Sequence, residues 1–353
     1  MDIKDSATAL YEAARELDLN LRNFKLISSR ANDVWLLPMH GVVARVSMRP
    51  EELDSAERSL KVARWLHEQQ LPVAPPWRHG PTSPIVVGNQ AVTLWEEMNR
   101  LKPKKADLGK ALGGVHSAGI PPQEIGLPDF DPIRLARWAI PVTGGLDPEQ
   151  RAFARHRIDE LSDRYAQLNF VLPKGIVHGD VHVANALTTP GPRGDTVISD
   201  WDFASVGPQE WDLIPTALES YRLGKPNQEQ RAFADAYGFD VRHWEGFGVL
   251  RELTEWWMIG GNLRLAAIDP AYAAEARMRV ESLRANRLNQ FWNYGPRTIR
   301  SQRLPAASEA APRPPTDARS SRDLRISHRR KAQAIGRIGH PADAGEYIAH
   351  RWP

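Results

Sequence analysis

The chain contains no cysteine in its 353 residues. That excludes disulfides, iron–sulfur clusters, thiolate zinc sites and a cysteine nucleophile. Long apolar runs are also missing, and none approaches the ~20 residues that span a bilayer. The opening stretch, MDIKDSATALYEAARELDLNL, is an acidic amphipathic pattern without the basic start and apolar centre of a signal peptide. These absences point to a cytoplasmic protein with no membrane partner.

A basic folded surface is lacking too, although the formal net charge is +3. Ten of the 46 Lys/Arg and five of the 43 Asp/Glu fall in residues 301–353, so the first 300 residues hold 36 basic against 38 acidic side chains. A nucleic-acid enzyme usually carries its positive field on the folded body, so nucleic acid is not expected as a partner. From about Tyr294 the chain turns to Pro, Ala, Ser and Arg without periodicity. That composition belongs to a basic, disordered tail, with room for one short helix near 327–335. No internal repeat is present.

The rest is ordinary globular sequence, 42% hydrophobic and 25% charged. Single cores stop growing at ~250–300 residues, so two packed lobes are expected. FKLISS, DVWLLP and GVVARVSM in residues 24–49 read as strands, the first two joined by the polar turn around Arg30-Ala31-Asn32. A helix follows over about Asp54–Gln69, with Ala56, Leu60, Ala63 and Leu66 at helical spacing. IVVG and AVTLWEEM read as two more strands about Asn89-Gln90. LGKALGGVHSAG then reads as a helix, and the Pro/Gly-rich residues 121–148 as a long surface connection. Helical patterns cover 149–168, 209–222, 228–237, 243–266 and 270–288, interrupted by strand-like runs only within 175–203. The expected units are residues 1–98, 99–293 and the tail 294–353.

Residues 175–213 carry the chemistry. Ile176-Val177 leads into His178-Gly179-Asp180, Asn185 follows five residues after Asp180, and a hairpin ending in Thr196-Val197-Ile198-Ser199 delivers Asp200. Phosphoryl transfer from ATP needs a carboxylate beside the attacking hydroxyl. It also needs oxygen ligands for Mg2+, a hard cation. The spacing Asp-x-x-x-x-Asn, hairpin, Asp supplies both at one cleft mouth, in the order protein kinases use. Asp180 alone could be a turn residue and Asn185 a cap. His178 suits holding the loop by hydrogen bonds better than acid–base work. The pair His178/His182 sits in a strand-to-loop context without a metalloprotease Glu, which argues against zinc.

His-Gly-Asp-x-His-x-x-Asn followed by Asp-Trp-Asp resembles the aminoglycoside phosphotransferase and choline kinase-like family, over roughly residues 20–290. The resemblance implies an α+β, bilobal protein-kinase-like fold. A small antiparallel sheet with one helix would form the N-lobe, and a larger, mainly helical C-lobe would follow. It implies Asp180 as catalytic base, Asn185 and Asp200 as Mg2+ ligands, Asp202 as an assistant to the metal, and Asp212 as a brace of the catalytic loop. Its acceptors are small molecules with a hydroxyl: aminoglycosides, amino alcohols, macrolides or sugars. Candidate acceptor-binding carboxylates are Asp202, Glu219, Glu252 and Glu255, of which Glu252 and Glu255 suit pairing with Arg251 or solvation better than acceptor binding.

The N-terminal part departs from the kinase template. The turn Ser28-Ser29-Arg30-Ala31-Asn32 stands where a Gly-rich loop would cover phosphates; backbone N–H groups and the hydroxyls of Ser28 and Ser29 could replace it. Arg45 stands on the third strand where the family pattern has Lys. It either contacts phosphate or caps an edge strand with its charge outward. Ser59 stands where the helix Glu is expected, with Glu57 about 200° around the helix. Trp95-Glu96-Glu97-Met98 resembles the interlobe linker, whose backbone at Glu96 and Met98 would read adenine. Trp244, Trp256 and Trp257 suit a helix core.

Four readings follow: an ATP- and Mg2+-dependent small-molecule O-phosphotransferase, a non-catalytic nucleotide-binding pseudokinase, a protein-directed kinase, and a nucleic-acid partner through the tail. The intact Asp180, Asn185 and Asp200 favour the first over the second. The early Gly207-Pro208, without a long activation segment, disfavours the third.

Overall fold

The computed structural model describes residues 3–29, 32–47, 53–99, 101–140, 144–191, 194–266 and 269–293. Residues 294–353, with the expected tail and its short helix, lie outside the described residues, as do Arg30 and Ala31 of the first turn.

A helix, α1 (Ile3–Glu16), precedes five antiparallel strands: β1 (Lys25–Ser29), β2 (Asn32–Leu37), β3 (Val42–Ser47), β4 (Ile85–Val87) and β5 (Gln90–Glu96). Their spatial order is β1-β2-β3-β5-β4. Strand alternation sends Val42, Ala44 and Val46 to one face, where they meet Ala9, Leu10 and Ala13 of α1 in the first of two cores. Arg45 therefore emerges on the opposite face. It also sits on a central strand, between Val34 of β2 and Thr93 of β5. The edge-strand reading of Arg45 is thus corrected. The sheet carries α1 as a helix in addition to the inserted one.

That inserted helix, α2 (Leu53–Glu68), turns Val62, Ala63 and Leu66 into the second, larger core. The C-terminal part builds that core from α3 (Lys105–His116), α4 (Pro132–Ala139), α5 (Pro148–Tyr165), α6 (Ile214–Arg222), α7 (Asn227–Tyr237), α8 (Phe247–Leu265) and α9 (Pro270–Arg284). α8 is buried on nearly all sides, with Leu250, Leu253, Trp256, Trp257 and Ile259 in the core, so its tryptophans are core residues. Two small ribbons complete this lobe: β6 (Lys174–Val177) pairs with β9 (Ser205–Pro208), and β7 (Ala186–Thr188) with β8 (Thr196–Ile198).

Backbone hydrogen bonds tie the lobes together beside that second ribbon. Ala74 N–H donates to Ile198 O (2.8 Å), Ile198 N–H to Pro72 O (2.9 Å), and Asn99 and Thr188 exchange bonds of 2.8 and 3.0 Å.

The surface connection expected over 121–148 contains α4. Asp131 caps it, accepting from Arg134 N–H at 2.9 Å, and Pro132 opens its first turn. Ile133, Ala136 and Ile140 point into the core. The dense Pro and Gly around it hide the short apolar stripe.

The α3–α7 packing gives a test. A Cβ at Gly109 would lie 2.3 Å from the Phe233 carbonyl oxygen, whereas one at Gly113 would meet nothing nearer than 3.7 Å. Alanine gains ~1 kcal/mol of helix propensity at either position. Gly109→Ala is expected to lose about 1–3 kcal/mol net through forced separation of the helices. Gly113→Ala should be neutral or stabilising. Urea unfolding of both variants checks the contrast.

Candidate active site

The loop after β6 is built on one buried carboxylate. Asp212, in the 3-10 turn Gln209–Leu213, is fully buried. Its Oδ2 accepts from His178 N–H (2.6 Å) and its Oδ1 from Gly179 N–H (2.8 Å). His116 Nε2 lies 3.1 Å from Oδ2, and the other ring nitrogen is 2.7 Å from the Tyr237 hydroxyl. Burial beside Asp212 pushes that Tyr237 hydroxyl well above its ordinary value. Gly179 has φ +86°, and a Cβ there would lie 2.8 Å from Phe203, so only glycine makes this turn.

His178 is buried and both its ring nitrogens are engaged. Nε2 is 3.0 Å from Ser199 O, and Nδ1 accepts from Asp180 N–H at 3.2 Å. That pattern selects the neutral Nε2–H tautomer. Burial, opposed by Asp212, holds the imidazole below its ordinary value. A histidine so occupied has no lone pair to offer zinc. Among the described residues, no cluster of three or more His, Cys, Asp or Glu is arranged to hold a metal.

Asp180 is 1% exposed. Asn185 Nδ2 donates to its Oδ2 (3.1 Å) and to its backbone carbonyl (2.9 Å), and His182 Nε2 stands 3.5 Å from the same Oδ2. Asn185 ends the 3-10 turn Val183–Asn185. Its own carbonyl accepts from Ser199 N–H (2.8 Å) and Ser199 Oγ (3.0 Å). Ser199 thereby ties the Asp180–Asn185 pair to the next residue, Asp200. With its amide nitrogen on Asp180, Asn185 turns its carbonyl oxygen away. An amide oxygen and a carboxylate, such as Asn185 and Asp200 carry, are the oxygen donor types that Mg2+ takes.

Asp200 sits at φ +74°, a left-handed conformation that an aspartate adopts at some cost. Arg45 reaches across the cleft from β3 to 3.3 Å from its Oδ1. The same guanidinium makes a bidentate pair with Asp202, Nη1 to Oδ1 at 2.8 Å and Nη2 to Oδ2. Asn32, with its amide oriented by its partners, adds an oxygen 3.0 Å from Arg45 Nε. Ser59 Oγ donates to Asp202 Oδ1 at 3.0 Å. Glu57 instead pairs with Lys61 on the exposed face of α2 (2.9 Å). The position of the expected helix carboxylate is therefore filled by a serine hydroxyl, and the cation is paired from the other lobe.

The remaining candidates are placed as follows. Ser28 and Ser29 end β1, beside a bulge between Leu26 and Ser28. Glu96 N–H donates to Pro75 O (3.1 Å), Glu97 N–H to Gly41 O (2.8 Å) and Asn99 N–H to Thr188 O (2.8 Å). Within residues 96–99, only the Met98 N–H has no acceptor among the described residues.

Three of the four carboxylates considered for the acceptor do not converge on a pocket. Glu219 is buried against Lys105 (2.7 Å), and Glu252 against Arg157 (2.7 and 2.8 Å). Glu255 is fully buried against Arg222 (2.5 Å), and burial pushes its carboxyl up. The ion-pair partners are cations from other helices, so solvation does not describe them, and Glu255 also feels the charge of Arg251 on its own helix. His116, on α3, is a partner of Asp212 that sequence reading missed, since 96 residues separate the two.

Residues 24–253 match the sequence model of a family described as the phosphotransferase enzyme family. No curated protein matches the chain. Wild-type aminoglycoside 2'-phosphotransferase-IIIa, solved with GDP, is similar at 15% identity and TM-score 0.56, over 80% of this chain and 99% of that one. The choline kinase LicA from Streptococcus pneumoniae is similar at 14% identity and TM-score 0.57, over 79% and 98% of the two chains. Spectinomycin phosphotransferase, solved with ADP and spectinomycin, is similar at 15% identity and TM-score 0.54, over 78% and 93%. At these identities the likeness shows the bilobal fold.

The buried His178 has a consequence for acid stability. Its folded form stays neutral where an unfolded histidine takes up a proton near pH ~6.5. The unfolded state then binds more protons, so stability is full above that pH and falls as pH drops below it, by up to about 1.4 kcal/mol per unit. His178→Gln should flatten this acid limb between pH 7.5 and 5 in denaturant titrations. An unchanged slope contradicts the assignment.

Proposed function

Because the chain belongs to the phosphotransferase enzyme family, we propose that it moves the γ-phosphoryl group of ATP onto a hydroxyl of a small molecule. The observation that carries this reading is the buried Asp180 carboxylate held by Asn185 on a loop whose backbone Asp212 fixes. A carboxylate so placed orients an attacking hydroxyl and accepts its proton as the phosphoryl group leaves ATP. His178 keeps the loop in register and stays out of the proton transfer. Asn185 and Asp200 would hold Mg2+, which neutralises charge on the phosphate oxygens when bound. Arg45, central on its sheet and facing Asp200, would contact the phosphates, as would the end of β1 at Ser28 and Ser29.

Adenine would lie against residues 96–98. With the N–H groups of Glu96 and Glu97 committed to Pro75 and Gly41, the Met98 backbone is the donor for its edge. The cytoplasm, where ATP and Mg2+ are abundant, suits this chemistry, and no described helix is long and apolar enough to cross a membrane.

The solved relatives include enzymes named for aminoglycosides, choline and spectinomycin. They make hydroxyl-bearing amines and sugars the first acceptors to try. Asp202 lines a surface cleft together with Asp129, Phe130 and Arg134. The protein-kinase alternative is disfavoured by the short path from Asp200 through β9 to the turn Gln209–Leu213, which leaves no platform for a peptide.

ADP release, measured over a panel of aminoglycosides, amino alcohols, nucleosides and sugars with Mg2+ present, tests the reading. At least one class should raise the rate well above the water background. Nucleotide binding with no acceptor-stimulated turnover on any class would mark a non-catalytic binder.

A further inference from the structure

In the kinase arrangement the β3 cation is held by a carboxylate on the neighbouring helix of its own lobe. Here two residues depart from that template together: Arg replaces Lys at 45 and Ser replaces Glu at 59. The geometry resolves both at once. Arg45 reaches across the cleft and grips Asp202, which belongs to the other lobe and lies 157 positions away in sequence. Ser59, fully buried on α2, donates its hydroxyl to the same Asp202 oxygen that accepts from Arg45 Nη1. Asn32 holds the Nε edge of the guanidinium from β2. The planar, five-donor guanidinium can meet two carboxylates and an amide at once, which a lysine ammonium on a shorter reach cannot do with fixed orientation. All three side chains of the bridge are largely shielded, at 13% exposure for Arg45, 11% for Asp200 and 19% for Asp202.

We infer that Asp202 and Ser59 are positioning residues that replace the missing helix carboxylate, fixing Arg45 toward the nucleotide phosphates from the C-terminal side of the cleft. The inference rests on the reading of Arg45 as a phosphate contact. It gives Asp202 a task different from binding metal. It also makes the phosphate-facing cation a bridge between lobes, so that the orientation of Arg45 and the closure of the cleft are set by one interaction.

Isothermal titration of a non-hydrolysable ATP analogue, at saturating and at limiting Mg2+, tests this on wild type, Asp202→Asn, Ser59→Ala and the exchange variant Ser59→Asp/Asp202→Ser. Asp202→Asn should weaken analogue binding ~10- to 100-fold, the loss expected for one charge-assisted arrangement. The exchange, which returns a carboxylate to the helix and leaves a hydroxyl opposite, should recover most of it with an unchanged Mg2+ requirement. If the exchange variant fails to fold, the cycle of Ser59→Ala with Asp202→Asn decides. Ser59→Ala should have almost no effect once Asp202 is neutral, and additive losses overturn the inference. Unchanged or tighter binding by Asp202→Asn also overturns it, because Asp202 then only competes with phosphate for Arg45. Weaker binding that the exchange does not restore, with a raised Mg2+ requirement, assigns Asp202 to the metal instead. A wild type that binds no analogue fails at an earlier point and removes the phosphotransfer reading together with the clamp.

Discussion

Three donors converge on the Asp212 carboxylate in the interior of the larger lobe: the N–H groups of His178 and Gly179 and the ring of His116. A charge taken out of water is tolerated only when its lone pairs are met, and here they are met by the loop and by His116 of α3. The loop's shape is therefore a condition of burying Asp212, and Asp212 is a condition of the loop's shape. From that backbone, His178 reaches Ser199, Asp180 meets Asn185, and Asn185 receives Ser199. The candidate centre is one network with few independent parts.

The two lobes meet this network differently. From the C-terminal side, the hairpin β7–β8 returns Asp200 in a left-handed conformation. From the N-terminal side a single guanidinium arrives. Its partners are not on its own helix but on the far wall, so the sheet and the helical lobe are joined at the site as well as at the backbone ties around Ala74 and Asn99. The substitution of Ser for Glu on α2 looks like a defect when that helix is considered alone. Beside Asp202 it supplies the third arm of a relocated ion pair.

Much of the architecture was legible because local patterns carry it. The strand runs, the α2 stripe and the helices α5 to α9 follow from periodicity. α4 was not, since Pro and Gly crowd a helix only eight residues long, too short for its stripe to stand out. Within the site, the His-Gly-Asp and Asn spacing is local and could be read directly. The Arg45 partner could not, because nothing in sequence joins positions 45 and 202. The same holds for His116 under Asp212, and for Glu219, Glu252 and Glu255. Their carboxylates could be named as candidates for a cationic acceptor, but the Lys105, Arg157 and Arg222 that pair with them could not.

In the proposed reaction the buried Asp180 carboxylate serves the attacking hydroxyl and not the nucleotide. Side-by-side measurement of MgATP affinity and acceptor-stimulated turnover in Asp180→Asn tests it most directly. Nucleotide affinity should stay within a few-fold of wild type, with turnover reduced by ~100-fold or more, the scale of a lost general base. Turnover that survives the substitution, or nucleotide affinity that collapses with it, would rule out that role for Asp180.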